Sequence, residues 1–333
     1  MSLRFIDSFD HYATADFPLK YNSNNGGTIS AGTGRRGAAY NAGAGGYLTK
    51  TLDAQATWIA GIAFKPASLG NGRIFVFTDG ASTQVDIRLK SDGNFQATRN
   101  GTLLGTTTVP ISAGVYCYLE MKVKIHSSTG TVDLHVNGVS VLSLSAQNTQ
   151  VTGNATANGF YFGNPDNAIS SPLFDDLYVC DGQGSVNNTF LGDCRVDAFL
   201  PTGNGSNSHF TNSAGNSTNN YTYVNEALQD GDTTYVADAT VGDIDSYAIT
   251  GITYTPSSIF GVQTNLIAKK DDVGARQIAP LLYRSATAYP GTGVALSTSY
   301  LDLMQIYEND PATSAAWTKT NFNATEFGEK VTA

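Results

Sequence analysis

The chain has 333 residues, enough for two domains of roughly 100–200 residues, either able to bury a full core. Only 14% of residues are charged while Gly, Ser, Thr, Asn and aromatics abound, which excludes a bundle of amphipathic helices and points to short strands with many turns. A formal charge of -9, with Arg35-Arg36 and Lys269-Lys270 as isolated basic doublets, excludes a nucleic-acid surface, because phosphate neutralisation needs clustered cations.

In chain order, MSLRFIDSFD has no apolar stretch of signal-peptide length, and no later run approaches the roughly 18 residues of a membrane span. A first strand is expected over residues 4–9. Residues 22–46, NSNNGGTISAGTGRRGAAYNAGAGG, contain no G-x-x-x-x-G-K-[ST] and no helical pattern, so they read as turns and closely approaching strands. Strand signals then follow steadily. In WIAGIAFK, Trp58, Ile62 and Phe64 alternate with small residues; IFVF at 74–77 is apolar on both faces; in VDIRLK, Val85, Ile87 and Leu89 oppose Asp86, Arg88 and Lys90. VYCYLEMKVKI alternates most cleanly, with Cys117, Leu119, Met121 and Val123 on one face and Tyr116, Tyr118, Glu120 and Lys122 on the other. TVDLHV and VSVLSL flank Asn137-Gly138, a hairpin signal because a type I′ turn needs positive φ at both central residues.

The stretch PTGNGSNSHFTNSAGNSTNN at 201–220 has few core residues and reads as a domain boundary or long surface loop. Beyond it TTYVA, DSYAIT, SIFGVQTNLIAKK, APLLYRS and SYLDLMQIYE again carry strand patterns. A turn at Asn309-Asp310-Pro311, one helical turn after Thr318 and a last strand around Phe327 close the chain. The fold class is therefore all-β: two β-sandwich, jelly-roll-like domains in tandem, residues 1–195 and 196–333.

FDDLYVCDGQG, from Phe174, places two carboxylates side by side. Strand alternation sends Asp175 to the face of Leu177 and Val179, and Asp176 to that of Phe174, Tyr178 and Cys180. Acids on opposite faces cannot flank one glycosidic bond, and no E-x-D-x-x-E pattern projects acids from one face. Calcium is the metal these residues suit, with Asp166 and Asp181 near Asp175 and Asp176 in sequence, against the reading of an Asp that pins loop amides. Four scattered histidines, three cysteines without zinc spacing and the lack of a G-x-S-x-G elbow give no catalytic constellation, so the chain is expected not to be an enzyme and to need no other cofactor. Several rings exceed what one-sided cores absorb. Tyr116, Tyr118 and Tyr161 are the expected surface contacts, for a glycan or a protein interface.

GAGGYLTKTL, TWIAGIAFK, VYCYLEMKVKI, TVDLHVNGVSV and the strand FDDLYVCD together resemble a concanavalin A-like, laminin-G-like jelly roll over about residues 1–195. The resemblance implies that Asp175 and Asp176 belong to a closing strand. FDHYATAD, FDDLYVCDGQGSVNNTFLGDCRVDAFLP and AAWTKTNFNATEFGEKV are similar to virion structural proteins of tailed bacteriophages. That likeness implies a non-enzymatic protein made in the bacterial host cytoplasm and placed on the particle exterior, as capsid decoration, collar, tail or baseplate piece. Its partners would be other virion proteins and its own copies, as a homotrimer. The second reading is a carbohydrate-binding module of the tail that recognises a host surface glycan; a polysaccharide-degrading enzyme is the third.

Overall fold

A computed structural model describes residues 2–333, which form an all-β chain dividing into two units, one ending at Asp197 and the other spanning Ala198–Ala333. The first unit is a sandwich of two antiparallel sheets. One has eight strands, in the order Val139–Gln147, Gly130–Val136, Cys117–Lys124, Thr57–Lys65, Leu173–Asp181, Ala39–Asn41 and Thr28–Ser30, with Leu3–Asp7 also paired to Leu173–Asp181. The other has seven, in the order Thr102–Thr106, Phe95–Arg99, Ser82–Leu89, Gly72–Asp79, Ala157–Gly163, Tyr47–Gln55 and Ser23–Asn24.

Alternation decides which side chains fill the space between the sheets. Cys117, Leu119, Met121 and Val123 stand opposite Phe64, Ile62, Ala60 and Trp58 in register, and all are buried. The seven-stranded sheet answers with Phe75, Phe77, Val85, Ile87, Phe160 and Phe162. Rings from both sheets meet where Phe162 lies 5.6 Å from Phe174 edge-on, and within the seven-stranded sheet Phe75 stacks on Phe160 at 5.4 Å. Each fully buried ring contributes about 2–3 kcal/mol relative to exposure. The Trp58 indole N–H would be an orphan in this core, and it donates to the Ala157 carbonyl of the facing sheet at 2.8 Å. The Asn137-Gly138 hairpin forms as read, with φ of 50° and 77°.

The strand Leu173–Asp181 departs from simple alternation. Its partner residues run from Ala63 opposite Asp175 to Gly61 opposite Tyr178, so three steps on one strand meet two on the other. This is a β-bulge, and Asp176 takes the left-handed conformation, φ 49°, that lets it fit. The extra residue shifts the phase of everything after it. The expectation that Asp175 and Asp176 point to opposite faces is thereby corrected, as the next section shows.

In the second unit a six-stranded sheet runs Pro201–Ser208, Ile244–Ile249, Glu326–Val331, Gln277–Arg284 and Thr287–Pro290, with Val294–Ala295 also on Gln277–Arg284. Its apolar face packs through Leu282, Phe327 and Tyr289 with Val262 and Tyr307 of the ribbon Val262–Ala268/Leu301–Tyr307, and with Trp317 and Phe322. Phe322 lies on the short helix Lys319–Asn323, capped by the Thr318 hydroxyl accepting from the Asn321 N–H at 3.1 Å. The stretch 201–220 is not simply a loop: Pro201–Ser208 is the edge strand of this sheet. An edge strand without a buried apolar face gives no hydrophobic signal, and Gly205 is needed because a Cβ there would meet the Ser246 backbone at 2.7 Å.

Candidate functional site

The two outward faces of the first unit's sandwich both gather acids, arginines and tyrosines. On the eight-stranded sheet, Tyr118 and Glu120 stand opposite Ala63 and Gly61 on one side, and Asp175 and Tyr178 on the other. Gly61 is where Tyr178 lies down: a Cβ there would meet the ring at 2.1 Å. Because of the bulge both aspartates converge on Arg35. The Arg35 backbone N–H donates to Asp175 Oδ2 at 2.7 Å, and Arg35 Nη1 lies 3.2 Å from Asp176 Oδ2.

Residues 182–197 then cross this face and seal it. The Gly192 N–H donates to Glu120 Oε1 at 2.8 Å, the Leu191 N–H to the Tyr178 hydroxyl at 3.2 Å and the Val196 N–H to Asp176 Oδ1 at 2.8 Å. Arg35 holds the same segment through Asp193 at 2.7 Å and the Cys194 carbonyl at 3.1 Å. Burial, then the neighbouring Asp176 charge, pushes Asp175 up to about 8. Burial also lifts Asp176, to about 6, against the pull of Val196 and Arg35.

Tyr118, expected at the surface, is 1% exposed; its ring lies under Arg35 and its hydroxyl donates to the Asp176 carbonyl at 3.0 Å. That expectation is corrected: an outward-facing strand residue is covered when a returning segment crosses it. Tyr116 is half-buried, its hydroxyl donating to the Thr33 carbonyl at 2.8 Å and the Lys65 ammonium 5.0 Å from its ring. The acids named for calcium disperse to three arginines: Asp166 to Arg73, Asp175 and Asp176 to Arg35, Asp181 to Arg4. Among the described residues no group of three or more His, Cys, Asp or Glu side chains is placed to hold a metal ion.

The seven-stranded sheet presents the other face, and here Tyr161 sits. Phe160 and Phe162 enter the core, so the ring between them must point out. Tyr161 stands opposite Thr49 and Val76, and Tyr47 is its diagonal neighbour, ring centroids 5.3 Å apart and both rings partly exposed. Arg73 Nη1 donates to the Tyr161 hydroxyl at 2.9 Å, while Arg73 Nε reaches both Asp166 oxygens at 3.0 and 3.1 Å and Nη2 binds the same carboxylate. Burial raises the Asp166 carboxyl, yet the Arg73 hydrogen bonds outweigh it and hold the group below its usual value. Burial lifts the Tyr161 hydroxyl against the nearby Arg73 charge, so the phenol is neutral at physiological pH.

Across the strands, Arg88 stands opposite Arg73, and Asp86 opposite Val76. Asp86 and Val76 are both buried at the floor of this face. Arg88 Nε donates to Asp86 Oδ1 at 2.5 Å, and the Thr98 hydroxyl to Asp86 Oδ2 at 2.6 Å. Sequence reading placed Asp86 and Arg88 on one outward face but did not single them out. The signal that could have done so is their alternation in VDIRLK, and its pairing with Tyr161 was not legible without strand order. A polar recess of about 360 Å³, lined by Arg99, Asn100, Thr102, Asn148, Gln150 and Val151, opens beside the turn joining Phe95–Arg99 to Thr102–Thr106.

The second unit holds a buried polar knot. Glu329 faces Asp245 across two strands, and the Tyr247 hydroxyl lies 2.7 Å from Glu329 Oε1 and 3.2 Å from Asp245 Oδ2. Burial pushes Glu329 up to about 8. Asn220 and the Phe210 N–H complete the hydrogen bonding of Asp245, tying the 210–220 segment to the sheet.

No family model matches the chain, and no curated protein matches it. Solved structures similar to it include the cellulose-induced protein Cip1, at 12% identity over 52% of this chain and 91% of that one, with a TM-score of 0.38. Alginate lyase Aly36B matches at 13% over 53% and 95%, TM-score 0.38. A Trypanosoma rangeli sialidase in complex with 2,3-difluorosialic acid matches at 12% over 48% and 30%, TM-score 0.35. Two of these three are enzymes by name, and the expectation that the chain is not an enzyme is accordingly withdrawn.

Proposed function

We propose that the first unit grips a glycan across the outward face of its seven-stranded sheet, and that the chain works on the exterior of a tailed-phage particle, in contact with other virion proteins. The observation that carries the glycan reading is the Tyr47–Tyr161 pair, two partly exposed rings 5.3 Å apart beside the Arg73–Asp166 fork. A pyranose has apolar C–H faces that pack on rings and equatorial hydroxyls that exchange hydrogen bonds with a guanidinium and a carboxylate at once, so rings and fork side by side match both aspects of one sugar. The likeness of FDHYATAD, the 174–201 stretch and the C-terminal stretch to tailed-phage virion proteins supports the particle exterior.

A microarray of bacterial surface polysaccharides, probed with the purified chain, tests the glycan reading. Tyr161→Ala is expected to weaken the strongest signal at least tenfold, and Tyr161→Phe, which keeps the ring, to retain most of it, with the thermal midpoint of both near that of the parent. Absence of any glycan signal, or Tyr161→Ala binding as the parent does, would overturn the proposal.

A further inference from the structure

Arg73 and Arg88 are direct cross-strand neighbours on the open face. Like charges directly opposite on a sheet repel, and each arginine here has an acid: Asp166 for Arg73, Asp86 for Arg88. The two pairings are unequal. Arg73 engages all three nitrogens, Nε and Nη2 on Asp166 and Nη1 on Tyr161, and keeps one further N–H on each Nη. Arg88 uses Nε alone, on Asp86 Oδ1. Among the described residues no hydrogen bond or ion pair reaches Arg88 Nη1 or Nη2, although the side chain is 30% exposed and its Nε is fixed.

Asp86 is the telling member. It is 0% exposed on the outward side of the sheet, with one oxygen on Arg88 and the other on Thr98. A desolvated carboxylate in a sheet contributes little to stability against an apolar residue of similar size, so its effect here is positional. It clamps the guanidinium at Nε and leaves the Nη edge, two parallel N–H donors, without a hydrogen-bond partner among the described residues on a side chain that is 30% exposed. That edge matches the two oxygens of a carboxylate or sulfate, and an already fixed fork loses little rotamer freedom on binding. Gln96, the residue opposite Arg88 on the other side, extends the row of donors and is tied to the Thr106 hydroxyl at 3.2 Å.

We infer that Arg88 is the anion-receiving group of this face, so that the glycan it takes is acidic, bearing a carboxylate or a sulfate. The inference rests on the glycan reading of the same face and goes further, to ligand class and to the residue that selects it. Asp86 and Thr98 are positioning residues for that fork.

The test uses the full chain on acidic polysaccharides presented in three forms: native, carboxyl-reduced to the neutral sugar, and desulfated. Binding to native acidic glycans is expected to fall at least tenfold when the charge is removed chemically, and whether reduction or desulfation removes it identifies the anion. Arg88→Gln is expected to lose at least tenfold on native glycans and to lose the dependence of affinity on NaCl. Arg88→Lys, which keeps the charge without the fork, is expected to keep the salt dependence with several-fold weaker binding, and it carries the test if Arg88→Gln does not fold. Equal binding to native and neutralised glycans, lost in Tyr161→Ala, would overturn the anionic assignment while leaving the glycan reading standing; no binding to any form would overturn both. Arg88→Gln and Arg88→Lys binding native glycans as the parent does would also overturn the assignment.

Discussion

The two outward faces of the first unit are built from the same residue types and end in opposite states. Both carry aspartates, arginine forks and paired tyrosines: Tyr118 and Tyr178 stack 6.4 Å apart on one, Tyr47 and Tyr161 lie 5.3 Å apart on the other. What separates them is the 182–197 segment, which lays three backbone N–H groups onto Tyr178, Glu120 and Asp176 and leaves the seven-stranded face without such a cover from that segment. Acids and rings under a strap spend their hydrogen bonds on the fold. On the face without one, Arg88 Nη1 and Nη2 have no hydrogen-bond partner among the described residues. Residue chemistry alone therefore cannot tell structural from functional clusters; the path of the chain over them can.

The largest expected contrast comes from removing one arginine on each face. Arg35→Ala strips the buried Asp176 of its counter-charge and releases Asp193 and the Cys194 carbonyl, so it is expected to cost about 3 kcal/mol, as for a broken buried pair. Arg73→Ala removes a pair whose side chains are 28% and 24% exposed, and is expected to cost about 1 kcal/mol or less while abolishing glycan binding. Urea midpoints at unchanged slope read both values. Equal losses from the two variants would mean that the strap does not distinguish the faces.

Much of the fold was legible because two-residue periodicity survives in most strands: VYCYLEMKVKI and the Asn137-Gly138 hairpin form as their patterns indicate, and Thr318 starts a helix. The site was less legible for identifiable physical reasons. The bulge at Asp176 turns on one residue's φ, which an Asp permits but does not announce, and it moved Asp175 and Asp176 onto one face. Tyr118 looked exposed because a covering strap has no periodicity to read. Arg73 and Arg88 meet only through strand pairing, fifteen residues apart in the chain. Pro201–Ser208 was hidden because polar edge strands lack an apolar stripe.

The faces are also expected to respond oppositely to pH. Asp175 and Asp176 have folded-state values near 8 and 6, above the roughly 3.9 of an unfolded aspartate, so the folded chain holds protons that the unfolded one releases. Their contribution is thus greatest in acid and is lost as pH rises from about 4 to 8. Asp166, held below its usual value, does the reverse, its contribution fading as pH falls through the acid range. Trp58 is the only tryptophan of the first unit, so a Trp317→Phe chain reports that unit's unfolding by fluorescence. Stability should decline between pH 5 and 8, and Asp175→Asn should flatten that slope; Asp166→Asn should flatten only the acid limb. A slope unaltered by Asp175→Asn would show that this carboxyl is ionised in the folded chain throughout the range.

The smallest contrast is a single oxygen on each face. Tyr118→Phe removes the donor to the Asp176 carbonyl, which sits under the strap where water cannot replace it, so a loss of about 1–2 kcal/mol is expected. Tyr161→Phe removes the acceptor of the Arg73 Nη1 hydrogen bond at a partly exposed position, where water can take its place, and the change should stay within about 0.5 kcal/mol. Both substitutions keep the ring and its packing, so the difference between them isolates solvent access from residue chemistry. Matching losses at the two positions would mean that the seven-stranded face is as dry as the strapped one, and a ligand would then have no entry to the Tyr47–Tyr161 pair.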